Sequence, residues 1–281
     1  MTSQKSQKIS RAHSLTGVTS QKGKPRLLLI DGSSMFYRAF YAIRNLSTAK
    51  GQPTNAVYGV VAMLRRLVEE EKPDYWAVAL DLHGPTFRHQ KYEGYKQSRK
   101  PMPQELVDQL PWIRQVLDGY RLPVYGVEGY EADDLLGTLA VWGVKAGAEV
   151  ILVTGDKDSF QLINDRVRVY RNTKDGHEIF DEALLKERWK IRPDQVVDLM
   201  ALMGDAVDDI PGVPGIGDKT ALDLIQKFES VDGLLKAVES GNTEGIKPSI
   251  LKALRENLEQ LKMSRELAVL DTKVPVEFDL E

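Results

Sequence analysis

Cysteine is absent from the 281 residues, which excludes disulfide bonds and thiolate metal sites. The chain has only four histidines, so any metal ion must be held by oxygen atoms or by these imidazoles. No apolar run approaches the roughly 18 residues that span a bilayer, and no hydrophobic signal-peptide segment lies near the start. These absences argue against a membrane partner and direct any metal chemistry towards carboxylates.

An excess of positive charge is also missing, since the formal net charge is −3. Nucleic acid is bound by local basic patches rather than by the total charge, so a DNA-binding role stays open. Residues 1–24 contain no acid and predict a disordered tail. An expression tag or a DNA-attracting tail fits this composition better than an organellar transit peptide.

Short apolar runs alternate with helical periodicity from Arg26 onwards. They predict strands at 27–30, 75–80, 149–154 and 167–170, and helices at 55–72, 103–118 and 131–146. This alternation predicts an α/β fold with a largely parallel sheet. From about Arg192, short helices joined by Gly and Pro turns predict a helical second lobe, at 194–203, 218–228, 231–239 and 247–262.

Aspartates directly follow three of the predicted strands, at Asp31, Asp81 and Asp156. The carboxyl ends of parallel strands meet at one edge of an open α/β sheet, where binding sites lie. We therefore expect these three side chains to converge although they are far apart in the sequence.

Further acids occur in close groups along the chain, at Glu131, Asp133, Asp134, Asp158, Asp205 and Asp208. Any one of them alone is better explained as a solvated carboxylate, or as an acid favoured at a helix N-terminus. Acids packed together repel one another unless cations lie between them, and oxygen-only ligand sets suit Mg²⁺ or Mn²⁺. The whole set predicts two ions about 4 Å apart that hydrolyse a phosphodiester.

At these residues the sequence resembles the 5′-nuclease family, the 5′-3′ exonuclease or flap endonuclease domain found at the N-terminus of bacterial DNA polymerase I. The resemblance runs from about Pro25 to Leu280 and rests on the order and spacing of LLLIDGSSMFYRAFYA, FRHQKYEGYKQSRKPMP, GYEADDLLGTLA, TGDKDSFQLI and GVPGIGDKTA. It implies a PIN-like (5′-nuclease) catalytic domain over 25–190 with a flexible helical arch at about 83–105. It also implies a helical, SAM-like DNA-binding domain over 191–281 with a helix–hairpin–helix turn at 212–220.

The metal-binding acids of the family fall on all nine acids named above. The resemblance assigns Asp31, Asp81, Glu131 and Asp133 to a first Mg²⁺ ion, with Asp134 close by. It assigns Asp156, Asp158, Asp205 and Asp208 to a second ion. This chain has Val207 and Asp209 where the family usually has Ser and Asn, which changes the hydrogen bonding beside the second ion.

A basic run at 88–100 alone would be read as a solvated face, but beside a metal site it is a candidate phosphate clamp. By resemblance Arg88, Lys96 and Arg99 bind the scissile phosphate and its neighbours. Tyr37 is either a core aromatic or, by resemblance, a platform that stacks on a base next to the cut. The remaining expected DNA contacts are Arg38, Lys91, Lys100, Gly212, Gly215, Gly217, Lys219 and Thr220.

The glycines of the 212–220 turn let the backbone approach phosphate, so contacts follow DNA shape rather than sequence. The resemblance implies a K⁺ ion held by carbonyls of this turn.

The sequence therefore predicts a two-metal, structure-specific 5′-3′ exonuclease and flap endonuclease of DNA replication and repair. Expected partners are branched, nicked or 5′-flap DNA, an RNA–DNA hybrid, and a polymerase domain in the same or another chain. The resemblance implies a monomer in the bacterial cytoplasm at the nucleoid. Two alternatives stay open: a PIN-like ribonuclease, and a DNA-structure-binding module without catalysis.

Overall fold

The computed structural model describes residues 23–173 and 176–278. Almost all of the predicted 1–24 tail lies outside these ranges. Six strands form one sheet in the order β3-β2-β1-β4-β5-β6, in which all neighbours are parallel except β5 and β6. The strands are β1 (Arg26–Asp31), β2 (Tyr75–Ala79), β3 (Val124–Tyr125), β4 (Glu149–Val153), β5 (Val167–Asn172) and β6 (His177–Phe180).

The strand β1 lies at the centre of the sheet and is covered on both faces. Its residues Leu27 to Ile30 are fully buried, as expected for a parallel strand whose sequence is a continuous apolar run. Ile30 pairs with Val78 on one side and with Val153 on the other. This register brings the ends of β1, β2 and β4 to the same edge, where the three predicted aspartates follow.

Helices cover both faces of the sheet, because β-α connections alternate around it. One face carries α1 (Gly32–Ala42), α2 (Asn55–Glu71) and α5 (Leu110–Gly119), and α6 (Ala132–Lys145) covers the other. The core on the α6 side continues without a break into the second lobe. The shorter helices of the first part are α3 (Phe87–Lys91), α4 (Gln104–Val107) and α7 (Glu182–Trp189).

The second lobe is all-helical in the described residues, as predicted. It consists of α8 (Val196–Met203), α9 (Asp218–Phe228), α10 (Val231–Ser240), α11 (Pro248–Glu256) and α12 (Leu258–Ala268). None of the helices in the described ranges has the length and hydropathy needed to cross a bilayer.

Two predicted helices are each divided in two. The helix predicted at 103–118 breaks between α4 and α5, where Pro111 in the first turn of α5 has no N–H to continue the helix from α4. The buried Gln109 at the break instead binds the backbone N–H of Ala56 and the side chain of Asn55. The helix predicted at 247–262 breaks at Asn257, whose amide donates to the carbonyl of Ala253.

The segment 83–105, where the resemblance implies a helical arch, has little helix. It contains α3, followed by turns from Glu93 to Ser98 and the first residues of α4. Tyr95 in these turns is 2% exposed. The segment is therefore folded against the rest of the molecule at its base.

Candidate active site

Strand ends place Asp31 and Asp81 at the same edge of the sheet. Asp31 ends β1 and caps α1, since its carboxylate accepts hydrogen bonds from the N–H of Ser34 at 2.9 Å and from the hydroxyl of Thr154 at 3.0 Å. Asp81 follows β2 and accepts from the N–H of Ala132, the first residue of α6, at 2.9 Å. Backbone donors therefore fix both carboxylates before any ligand binds.

The acids at the start of α6 have different environments. Asp133 shares a site with the strand-end aspartates, and the charges of Asp156, Asp31, Asp158 and Asp81 all act on it. Asp134, three residues after Glu131, is completely buried and points the other way, towards Arg88. This difference separates an acid that faces the candidate metal site from one that does not.

Arg88 is 1% exposed, and all five of its N–H groups have acceptors. Its guanidinium makes two hydrogen bonds of 2.8 Å to Asp134 and one of 3.2 Å to Glu131. It also donates to the carbonyls of Leu267 and Val269 at the end of α12. No donor of Arg88 is left for a phosphate in this geometry, so the expected contact with the scissile phosphate would require Arg88 to leave its present acceptors.

Asp134, expected close to the first metal ion, is the ion-pair partner of Arg88 in this geometry. Its oxygens accept from Arg88 and from the backbone N–H groups of Glu131 and Asp271. These four hydrogen bonds fill the acceptor positions of a carboxylate. Sequence reasoning could not separate Asp134 from Asp133, because its partners are 46 and 137 residues away.

The other acids retain free oxygens inside the protein. In the described part of the chain, one buried oxygen each of Asp133, Asp158 and Asp208 has no hydrogen-bond partner. Leaving a buried charged acceptor unpaired costs free energy, so such groups call for a water or an ion. An all-oxygen set of this kind has the chemistry that Mg²⁺ and Mn²⁺ prefer.

Burial and mutual repulsion make these acids hard to ionise. Burial raises the pKa of Asp31 to about 6, and the charges of Asp81 and Asp156 add to the effect. Burial, then the charge of Asp156, raises the pKa of both Asp133 and Asp158 well above the usual range. A divalent ion among them would remove the repulsion that raises these pKa values.

In this geometry the carboxylates do not form a complete set of metal ligands. Among residues 23–173 and 176–278, no three acidic or histidine side chains already form a cage for a metal ion. Lys96 lies among these acids, with its Nζ 2.8 Å from Glu131 and 3.4 Å from Asp208. The acids are thus partly neutralised by an ammonium group that a cation would have to displace from Glu131.

Tyr95 is a site residue that sequence reasoning did not single out. Its buried hydroxyl lies 2.9 Å from Glu131 and 3.2 Å from Asp208, so it bridges acids from α6 and from the second lobe. Burial and these two negative charges strongly raise its pKa, which keeps the hydroxyl protonated. Its place beside Lys96 in the basic run was the only available signal.

The loop from Gly204 to Gly212 presents the remaining acids. Asp205 and Ile210 exchange backbone hydrogen bonds of 2.9 and 2.8 Å that close it. Gly204 and Gly212 have φ of +75° and +60°, and a Cβ on either would overlap the backbone of the other strand of the loop. Asp208 is buried at its tip, whereas Val207 is 67% exposed.

Other basic residues expected to contact DNA lie on the surface. Arg99 is half-exposed, with its guanidinium 3.6 Å from Asp208. Lys91 pairs with Glu266, and Arg38 donates to the carbonyl of Thr173. Lys100 is exposed. Of the basic residues in this run, only Lys96 and Arg99 reach the acids while keeping some exposure.

The two remaining expected contacts with DNA are Tyr37 and the helix–hairpin–helix turn. Tyr37 is half-buried on α1, where its ring stacks on Tyr41, and the charges of Arg99 and Asp81 act on it. The helix–hairpin–helix turn exposes its glycines and basic group, at Gly215, Gly217 and Lys219, while Gly212 is buried and Thr220 half-buried. The carbonyl of Gly212 accepts from Gln260, so it is already engaged where the resemblance implies a K⁺ ion.

Family models divide the chain into two consecutive matches. Residues 26–190 match the 5′-3′ exonuclease N-terminal resolvase-like domain, and residues 191–281 match the 5′-3′ exonuclease C-terminal SAM fold. The chain belongs to the 5′-3′ exonuclease family. The 5′-3′ exonuclease and flap endonuclease family is one of hydrolases that act on DNA, as predicted from the sequence.

Curated relatives of this 5′-3′ exonuclease family member are DNA polymerases. The chain is 42% identical over 256 residues to DNA polymerase I of Bacillus subtilis, covering 90% of this chain and 29% of the relative. It is 40% identical over 256 residues to the thermostable DNA polymerase I of Thermus aquaticus, covering 91% and 30%. The chain thus spans less than a third of the length of these relatives.

Solved structures of 5′-nucleases share the fold. A complex of bacteriophage T5 flap endonuclease with DNA and metal ions superposes with a TM-score of 0.73 at 21% identity, covering 88% of this chain and 90% of that one. The catalytic core of Rad2 in complex with DNA gives 0.56 at 14% identity, covering 90% and 81%. At these identities the likeness confirms the fold class, a PIN-like α/β core with a helical second domain.

Proposed function

We propose that this chain cleaves phosphodiester bonds near the 5′ end of branched, nicked or flapped DNA with two divalent ions, normally Mg²⁺ and replaceable by Mn²⁺. The observation that carries the proposal is the set of buried, unpartnered carboxylate oxygens on Asp133, Asp158 and Asp208. They come from three different elements and meet the strand-end aspartates at one edge of the sheet. The family and the metal-bound bacteriophage T5 5′-exonuclease support the same chemistry.

The proposed ligands form two groups, one for each ion. Asp31, Asp81 and Asp133 would hold the first ion, with Glu131 joining them once Lys96 has moved. Asp156, Asp158, Asp205 and Asp208 would hold the second ion. Divalent ions in these positions supply Lewis acidity at the scissile phosphate and lower the pKa of a nucleophilic water.

Lys96 and Arg99 supply the positive charge that the protein itself contributes. The charges of Glu131 and Asp208 outweigh the effect of burial and raise the pKa of Lys96, so it stays protonated at the site. An ammonium and a guanidinium held here stabilise negative charge that develops on the phosphate and on the departing 3′ oxygen. No side chain is needed as a nucleophile.

Binding of the DNA is proposed to use surfaces on either side of the acids. Tyr37 would stack on the base next to the cut, with Arg38, Lys91 and Lys100 near the strand. The exposed amides at Gly215 and Gly217, with Lys219 and Thr220, would bind the phosphates of the duplex. A K⁺ ion at this turn would use its other carbonyls, because the carbonyl of Gly212 is engaged.

Further partners follow from the relatives. We propose that a polymerase domain, in the same or another chain, produces the nicked or flapped DNA that this nuclease cuts. This would take place during replication and repair in the bacterial cytoplasm. An RNA–DNA hybrid would suit the same backbone contacts. We propose that the nuclease acts as a monomer, since all the proposed ligands come from one chain.

The test compares substrates and variants side by side. The wild-type chain is incubated with a labelled 5′-flap, a nicked duplex and a matched RNA, with and without Mg²⁺. We expect Mg²⁺-dependent cuts in the flap and the nicked duplex, leaving 5′-phosphate and 3′-hydroxyl ends. Cutting of the RNA alone would favour a ribonuclease, and tight flap binding without any cutting would favour a non-catalytic module.

Variants connect the activity to the acids. Asp31→Ala or Asp156→Ala should reduce single-turnover cleavage by about a thousandfold or more, while DNA binding stays within about tenfold. Asp165→Ala, a change of an exposed acid away from the site, is the matched control and should cut like the wild type. Unchanged turnover in both site variants would contradict the proposed mechanism.

A further inference from the structure

Two segments from different lobes meet beside the acids. The turns at 92–99, from the first lobe, carry Lys96 and Arg99, and the loop at 204–212, from the second, carries Asp205 and Asp208. Much of their boundary is a groove lined by Tyr92 and Gln97 on one side and by Asp205 and Pro211 on the other. Polar contacts that involve Asp208 and Asp209 join the two segments.

Asp209 makes the closest polar contact across this boundary. One carboxylate oxygen accepts the backbone N–H of Ser98 at 2.8 Å, and the other accepts the Ser98 hydroxyl at 2.9 Å. A carboxylate that accepts two donors from one residue fixes both distance and orientation. We call this pair the Asp209–Ser98 clamp.

The backbone around the clamp needs such support. Lys96 has φ of +54° and Asp209 has φ of +55°, a left-handed conformation that costs energy for residues with a Cβ. The N–H of Lys96 donates to the carbonyl of Asp208 at 3.0 Å. The clamp joins Asp209 to Ser98, and this hydrogen bond joins Asp208 to Lys96. Two adjacent residues of the loop are therefore attached to the two residues that flank Gln97.

Ser98 of the clamp lies in the sequence between Lys96 and Arg99, the two basic residues that reach the acids. Ser98 is one residue from Arg99 and two from Lys96, and the turn hydrogen bond from the N–H of Arg99 to the carbonyl of Lys96 connects all three. A shift of Ser98 would therefore move both basic groups relative to Glu131 and Asp208. Small displacements of this kind cost catalysis far more than binding.

We propose that Asp209 is a positioning residue. It holds Ser98 so that the side chains of Lys96 and Arg99 lie beside the carboxylates of Glu131 and Asp208. The inference rests on the cleavage activity proposed above. Asp209 touches no phosphate in this scheme and acts through the turns that it holds. Through this contact, a residue of the second lobe fixes the position of the turns that carry Lys96 and Arg99 in the first lobe.

The experiment measures single-turnover flap cleavage, flap affinity in Ca²⁺ and amide hydrogen exchange. Asp209→Ala should reduce the cleavage rate by about tenfold to thirtyfold with affinity within about threefold. Exchange in a peptide covering 93–99 should become at least about tenfold faster. Asp209→Asn, which can still accept the Ser98 N–H and donate to its hydroxyl, should restore most of the rate.

A second background shows whether Asp209 acts through the two basic groups that it positions. In the Lys96→Ala/Arg99→Ala double variant, adding Asp209→Ala should cost less than about threefold, because both of these groups are already gone. Asp181→Ala is the matched control, since Asp181 also accepts a backbone N–H, from Leu184, but is the N-cap residue of α7. It should leave cleavage unchanged.

The outcomes separate this inference from the proposed function. A wild-type chain that never cuts would defeat the function itself. The clamp alone would be overturned if the wild type cuts and Asp209→Ala cuts equally fast. It would also be overturned if the full Asp209→Ala effect were retained in the Lys96→Ala/Arg99→Ala double variant. A loss of rate matched by an equal loss of affinity would also overturn it, because that pattern indicates a role in binding.

Discussion

Lys96 and Glu131 form an ion pair within the candidate active site, with Nζ 2.8 Å from Oε1. The ammonium also lies 3.4 Å from Asp208, so one basic group connects acids of both lobes. The Glu131 carboxylate accepts from the side chains of Arg88, Tyr95 and Lys96. An incoming metal ion must therefore compete with Lys96 for this carboxylate.

This competition predicts opposite effects of Lys96→Ala on metal binding and on turnover. Without the ammonium, Mn²⁺ should bind the DNA-free protein about threefold to tenfold more tightly, because a positive charge has left the site. Single-turnover cleavage should fall by about a hundredfold or more. Calorimetry and flap cleavage measure the two quantities, with the exposed Lys145→Ala as control. Parallel losses of both would contradict the prediction.

Arg88→Ala should act mainly on folding. It would leave the buried carboxylate of Asp134 without its cation, which costs about 3–5 kcal/mol in the free energy of unfolding. Urea unfolding measures the change. Arg88→Lys should recover only part of the loss, because one ammonium cannot replace five directed donors.

The control for this prediction is Arg114→Ala, which removes an exposed pair with Asp118 and should cost less than about 1 kcal/mol. An Arg88→Ala protein with normal stability but weakened DNA binding would instead restore the original expectation of a phosphate contact.

The stability of the metal-free protein should depend on pH through its raised aspartate pKa values. The pKa of Asp31 is about 6 in the folded protein, above the value of about 3.9 for an unfolded chain. The folded state therefore binds protons more readily, and its stability should rise as pH falls from about 7.5 to 5. Asp133 and Asp158 act in the same direction.

Thermal unfolding in a chelator tests this dependence. Asp31→Asn should have a shallower slope than the wild type, because one of the titrating groups is gone. Excess Mg²⁺ should flatten or reverse the wild-type slope, since the ion competes with protons for the same oxygens. A metal-free melting temperature that falls steadily over this pH range would contradict the assigned environments.

Lys219→Ala should weaken binding without slowing the chemical step. The exposed lysine in the first turn of α9 is expected to contact one phosphate, so the slope of log K against log salt should decrease by about 1. The single-turnover rate on saturating DNA should stay within about twofold. A salt slope equal to that of the wild type would show that α9 does not contact the duplex.

The convergence of the acids could be predicted from the sequence for a physical reason. Asp31, Asp81 and Asp156 follow buried strands, and parallel strands place their carboxyl ends together. The environment of each acid could not be predicted in the same way. Asp133 and Asp134 are neighbours in the sequence, yet one faces the acids and the other is paired with Arg88.

Local sequence also missed features that depend on distant partners. The helix predicted over 103–118 follows a clear apolar period, but Pro111 and the buried Gln109 divide it. The roles of Tyr95 and Ser98 depend on contacts with distant residues, among them Asp208 and Asp209, which are more than 100 residues away. Periodicity carries no information about such pairings, because they depend on how the two lobes pack.

The central claim is that divalent ions occupy the space between these carboxylates. The most direct measurement is anomalous diffraction at the manganese edge from crystals of the chain with a 5′-flap DNA and Mn²⁺. We predict two peaks, one among Asp31, Asp81 and Asp133 and one among Asp156, Asp158 and Asp208. Ordered DNA at the site with no anomalous peak between these side chains would contradict the claim.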